Sequence, residues 1–261
     1  MKIPMWQVDA FAARVFAGNP AAVCLLEVWP DDGVLQAIAA ENNLAETAFL
    51  VPNAGGFELR WFSPVTEVAL CGHATLASAK VLFDLRGWSE REIRFQTRQR
   101  GVLTVVKHGD LFEMDFPAQP VQPMAIPPGL GAALGVEPRQ VLKSVDDWFA
   151  VLDDEDSVRD LKPDLAAVAK FNCRCLVPTA RGNTADFVSR AFAPRFGIPE
   201  DPVTGSAHCA LAPYWAGVLG KNELRAFQVS ARGGEVQCRV AGDRVILSGR
   251  AVVYLEGTID V

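Results

Sequence analysis

The sequence predicts an α+β chain built from two related halves, each enclosing one buried helix among strands. Three observations lead there. Short segments recur in the same order at an offset of about half the chain: RWFSP at 60–64 and RAFAP at 190–194, then Gly72-His73-Ala74 and Gly205-Ser206-Ala207, then Arg100-Gly101 and Arg232-Gly233. Most of the remaining sequence alternates apolar and polar residues, or runs apolar, over strand-like lengths. The run ATLASAKVLF, residues 74–83, is instead helix-forming and apolar on most sides, so it has no face suited to water.

In the first half WQVDAF, AAVCLLEV, ETAFLV and GFELRWFS read as strands, and 31–42 reads as a short capped helix. A glycine turn then delivers the chain into the buried helix. The second half repeats the order, with DDWFAVLD, CLVPTA and DFVSRAFA as strands, a helix at 164–170, and 206–218 as the counterpart buried helix. Pro213 inside that helix is expected to kink it. EVQCRVA and RVILSGRAVVYLEGTIDV close the chain as strands. Between the halves, FPAQPVQPMAIPPG at 116–129 holds five prolines, which withhold backbone donors from helix and sheet alike. The expected division is 1–115, a crossover at 116–129, and 130–249.

Composition narrows the function classes. With 261 residues, half of them hydrophobic, the chain is long enough for a large core. No stretch approaches the ~18 uninterrupted apolar residues of a membrane span, and MKIPMWQVDAF reads as a first strand in place of a secretory signal. A net charge of −6 and a pI near 5.2 give no global attraction to nucleic acid or to an acidic membrane surface. Six cysteines without a repeated spacing point to thiols in a reducing, cytoplasmic setting. Cys173 and Cys175, flanking one arginine in NCRCLV, would share a strand face but have no second ligand pair at matching spacing.

Chemistry concentrates at the two glycine turns, PVTEVALCGHA and GIPEDPVTGSA. Each opens a helix, whose first turn presents unpaired N–H groups and the positive end of the macrodipole. Glycines at 72 and 205 permit unusual dihedrals and close approach of a ligand oxygen, so the expected ligand is a small carboxylate gripped without arginine. Ordinary N-capped helix starts are the plain alternative, and the pairing of two such turns favours an anion. Glu46 enters an apolar strand, where desolvation favours its protonated form and suits a proton-transfer group; a capping or surface acid is the plain alternative. Asp201 stands ahead of the second turn as an orienting group or second base. The helix dipole should keep His73 neutral. Cys71 has no thiol counterpart between 197 and 207, which speaks against a two-thiol racemase, and it reads as a small core residue. A zinc site from Cys71, His73, His208 and Cys209 is disfavoured because residues 208 and 209 diverge on a helix.

These residues also carry a resemblance. VDAFAARVFAGNPAAVCLL, NLAETAFLV, RWFSPVTEVALCGHATLASA and RAFAPRFGIPEDPVTGSAH make the chain similar, along nearly its whole length, to the PhzF-like phenazine-biosynthesis isomerases and to the subgroup of phenazine-biosynthesis-like domain proteins. The resemblance implies the diaminopimelate-epimerase-like fold: two pseudo-symmetric domains, each a rolled, mostly antiparallel sheet around a central helix, with the last strand, about 250–261, returning to the first. It implies a biosynthetic, cofactor-independent isomerase that uses no metal and moves a proton within a small carboxylate-bearing substrate held between the domains. Homodimers are frequent in such families. By resemblance Glu46 is the general acid/base, His73, Asp201 and Ser206 assist, Gly72 and Gly205 hold the carboxylate, and Asn19 lines the site. An amino-acid racemase or epimerase, and a silent binding protein of the same fold, remain the alternatives.

Overall fold

Strand β1 (Lys2–Ala10) is exposed only at Lys2 and is buried throughout its last three residues. The computed structural model describes all 261 residues. They form two units, Met1–Asp115 with Ser248–Val261, and Phe116–Leu247.

In the first unit β1 pairs antiparallel with β2 (Asn19–Leu25) and with the chain's last strand, β17 (Ala251–Asp260). Helix α1 (Asp32–Asn42) crosses over from β2 to β3 (Glu46–Asn53), which therefore runs parallel to β2. The cap of α1 lies at its C-terminal end, where Asn43 takes a left-handed conformation; Asp31 makes no side-chain cap, contrary to the sequence expectation. β4 (Gly56–Phe62) returns antiparallel to β3 and pairs with the short β5 (Glu67–Val68). Next comes α2 (Gly72–Lys80), buried from His73 to Ala79, followed by a π-helical turn at Val81–Leu85. β6 (Glu92–Thr97) runs parallel to β4, and β7 (Val102–His108) and β8 (Leu111–Pro117) complete a meander. α2 packs against β1, β2, β3 and β17, so the sheet rolls round it, and its alanines let those strands approach closely.

The second unit repeats this plan. β9 (Gln122–Met124) lies inside the proline-rich stretch and pairs with β10 (Gln140–Lys143) after the short α3 (Leu130–Leu134). The crossover is therefore not devoid of regular structure: Pro123 is tolerated in a three-residue strand. β11 (Trp148–Val151) leads through α4 (Glu155–Arg159) and α5 (Leu165–Val168) to a parallel β12 (Leu176–Arg181). β13 (Phe187–Ser189) leads through α6 (Gly205–Leu219) to a parallel β14 (Glu223–Gln228), and β15 (Gly234–Ala241) and β16 (Arg244–Gly249) follow. Each unit thus contains two parallel crossovers within an otherwise antiparallel arrangement, and the second crossover carries the buried helix. This is the expected α+β class.

Pro213 lies within the fifteen-residue α6. Its missing N–H deprives the Cys209 carbonyl of a helical partner, and the Gln119 N–H donates to that carbonyl at 3.0 Å. Cys173 and Cys175 precede β12 and share no strand face, which corrects the reading of NCRCLV. All six cysteines are free thiols, and no helix is long and apolar enough to cross a membrane.

Candidate active site

Glu46, His73 and Asn19 meet because three elements begin at one place. β2 and β3 are parallel with Ala21 opposite Glu46, so their first residues, Asn19 and Glu46, lie at the same end of the sheet. His73, in the first turn of α2, reaches both. Its Nε2 lies 3.2 Å from Glu46 Oε2, and its Nδ1 lies 3.2 Å from Asn19 Nδ2. An amide nitrogen only donates, so Nδ1 is the acceptor and Nε2 carries the proton that it donates to the Glu46 carboxylate.

His73 is 6% exposed, and burial pushes its pKa down to about 3. The ring is therefore neutral at neutral pH, as expected, and desolvation is the principal cause. Cys71 Sγ lies 3.5 Å from His73 Nδ1. Cys71 is buried like a core residue, yet it touches the candidate machinery. One oxygen of Glu46, the Cys71 sulfur and a His73 nitrogen lie within 4.8 Å of one another, a donor set of the kind that binds zinc.

Asn19 owes its place to Gly18. That glycine has φ +65°, and a Cβ there would stand 2.1 Å from the Ala10 carbonyl oxygen. By contrast, Gly72 and Gly205 have no positive φ, and a Cβ on Gly205 would only touch Leu247 at an ordinary 3.8 Å. The unusual dihedrals expected of these two glycines are absent. What remains is helix geometry: Cys71 and Thr204, at the N-cap positions of α2 and α6, place no side chain on the first-turn N–H groups.

In the second unit Asp201 Oδ2 accepts from the Thr204 hydroxyl at 2.6 Å. Gln228, fully buried at the end of β14, accepts from the Thr204 N–H and donates to the Asp201 carbonyl. The loop before α6 is thereby fixed from both sides. Ser206, in the first turn of α6, accepts from Arg174 Nη2 at 3.0 Å, so an arginine does stand at this turn. Arg174 in turn grips the fully buried Asp147, with Nε 3.0 Å from Oδ1. The expected residues thus fall into two groups, Asn19, Glu46, Gly72 and His73 in one unit and Asp201, Gly205 and Ser206 in the other.

Residues 8–257 match the family model for phenazine biosynthesis-like protein, PhzC-PhzF. The chain belongs to that family. An uncharacterized isomerase of Pseudomonas aeruginosa is 52% identical to it over 259 residues, covering 99% of each chain. Phenazine biosynthesis-like domain-containing protein 2 of Mus musculus is 42% identical over 291 residues, again across 99% of each. The crystal structure of a PhzF-family protein from Enterococcus faecalis superposes with a TM-score of 0.97 at 44% identity, covering both chains completely. A hydroxyproline epimerase from Agrobacterium vitis shares the fold alone, at 10% identity and a TM-score of 0.63 over 99% of this chain and 92% of that one. Both residue groups of this PhzC-PhzF chain lie inside the matched span. Sequence reasoning missed Asp147, Arg174 and Gln228. NCRCLV drew attention for its cysteines, while the arginine between them was the informative residue.

Proposed function

We propose that this protein is a cofactor-independent isomerase in which Glu46 removes a proton from one carbon of a small carboxylate-bearing substrate and returns it to another. The observation that carries the reading is the 3.2 Å contact between Glu46 and a buried neutral His73 at the start of α2. A carboxylate has two oxygens with about four acceptor positions, so accepting from His73 does not exhaust its capacity to take a substrate proton. Asn19 holds the imidazole in the tautomer that makes that bond. Because the proton leaves and re-enters the same molecule, the reaction has no net redox change and needs no hydride carrier. The isomerase names of relatives such as the Pseudomonas protein support the reaction class.

The proposal extends to carboxylate binding, for which each unit by itself offers an uncapped helix start, at Gly72 in the first and at Gly205 and Ser206 in the second. Asp201 is assigned an orienting role, since its carboxylate is engaged by Thr204 within its own loop.

The test is deuterium incorporation from D2O into a panel of small carboxylic acids, followed by NMR. The wild-type protein is expected to label at least one acid, and Glu46→Gln to lose at least about a hundredfold in rate with unchanged thermal stability. Equal labelling by both proteins would remove Glu46 from the chemistry.

A further inference from the structure

The backbone at Arg174 and Cys175 is pinned. The Arg174 N–H donates to the Asp146 carbonyl at 2.7 Å, and the Cys175 carbonyl accepts from Trp148 at 2.9 Å. The Arg174 side chain lies side-on to Asp147, whose Oδ1 also accepts from the Cys175 N–H at 3.2 Å. Asp147 has no exposure to solvent, whereas the Arg174 side chain is 38% exposed. A buried carboxylate therefore anchors a guanidinium that reaches outward.

That guanidinium meets Ser206. Arginine has donors only, so the Ser206 oxygen must be the acceptor in the 3.0 Å contact with Nη2. The hydroxyl hydrogen of Ser206 then has to point to some other acceptor. Ser206 belongs to the first turn of α6, where the backbone N–H groups carry no side-chain cap.

We propose that Arg174 is a positioning residue for substrate binding: by donating to Ser206 Oγ, it leaves the serine hydroxyl as a donor to the substrate carboxylate at the start of α6. This deepens the proposed function and rests on its assignment of the Gly205–Ser206 turn to carboxylate binding. A point charge would keep a cation beside Asp147; only the planar fork engages Asp147 through Nε and Nη2 while Nη2 also reaches Ser206. Asp147 holds Arg174, Arg174 sets the direction of Ser206, and Ser206 donates to the ligand.

The test is a double-mutant cycle with sodium propanoate as the carboxylate probe, followed by the backbone amide signals of Gly205 and Ser206. Arg174→Lys preserves a cation beside Asp147 and avoids stranding a buried carboxylate. It is expected to weaken propanoate binding about tenfold, the scale of one charge-assisted hydrogen bond. Ser206→Ala is expected to weaken it similarly, and the double variant no further than either, because both changes remove the same interaction. Unchanged affinity in Arg174→Lys, or a double-variant loss equal to the product of the single losses, would overturn the role of Arg174 alone. Propanoate that moves neither amide in the wild-type protein would overturn the carboxylate assignment and this inference with it.

Discussion

Gly18 shows how a single backbone angle places a candidate site side chain. Its positive φ turns the chain into β2 so that Asn19 arrives beside His73, and the space a Cβ would need is already filled by the Ala10 carbonyl and the Ala12 side chain. Gly18→Ala is therefore expected to cost about 1–3 kcal/mol, read as a lower urea midpoint, and to slow deuterium exchange through misplacement of Asn19. Wild-type stability in that variant would contradict the strained geometry. Glu46, His73 and Asp201 were legible as candidates because acids and imidazoles are scarce in apolar or glycine-turn surroundings. Their partners were not. No local pattern tells that Asn19, far away in sequence, meets the His73 ring, since that pairing depends on α2 starting beside β2.

Among the elements, the two buried helices are what the strands enclose. α2 has a row of small residues and one large fully buried side chain, Leu76, so its packing rests heavily on that leucine. Leu76→Ala is expected to destabilise the protein by about 2–5 kcal/mol, measured by urea denaturation, because rolled strands on several sides cannot collapse into the vacated space. A loss below about 1 kcal/mol would mean that the helix is not enclosed. Both helices were legible because an all-apolar run of helix-forming residues has few other places to go. The π-helical turn after Lys80 was not, and neither was the way the chain offsets Pro213 by donating the Gln119 N–H to the Cys209 carbonyl. The second depends on a contact distant in sequence.

Across the whole molecule, two buried neutral histidines link stability to pH. Burial pushes His73 down to about 3 and His208 to about 4, against an ordinary value of 6.5. His208 Nδ1 donates to the Thr204 carbonyl, while its Nε2 has no hydrogen-bond partner. The unfolded chain binds a proton at each site once pH falls below about 6.5, and the folded chain does so only near 4 and 3. Their contribution is complete above pH 7 and is lost as pH falls through that window, by about 2 kcal/mol per histidine at pH 5. The urea midpoint is expected to drop between pH 7.5 and pH 5, and His208→Gln to reduce that drop. A flat profile would show that the two imidazoles are not held neutral by burial.

The sequence by itself determined the α+β class, the two-fold repetition, the buried helices and the residue types with chemistry to offer, because periodicity, glycine turns and scarce polar residues in apolar surroundings are local properties of a chain. Only the tertiary structure decided that Glu46 and Asn19 bracket one imidazole, that Arg174 rather than its flanking cysteines is the informative part of NCRCLV, and that Asp147 anchors it. Hydrogen-bond direction and burial are fixed when strands far apart in sequence lie side by side, and a single chain of letters does not record which strands those are.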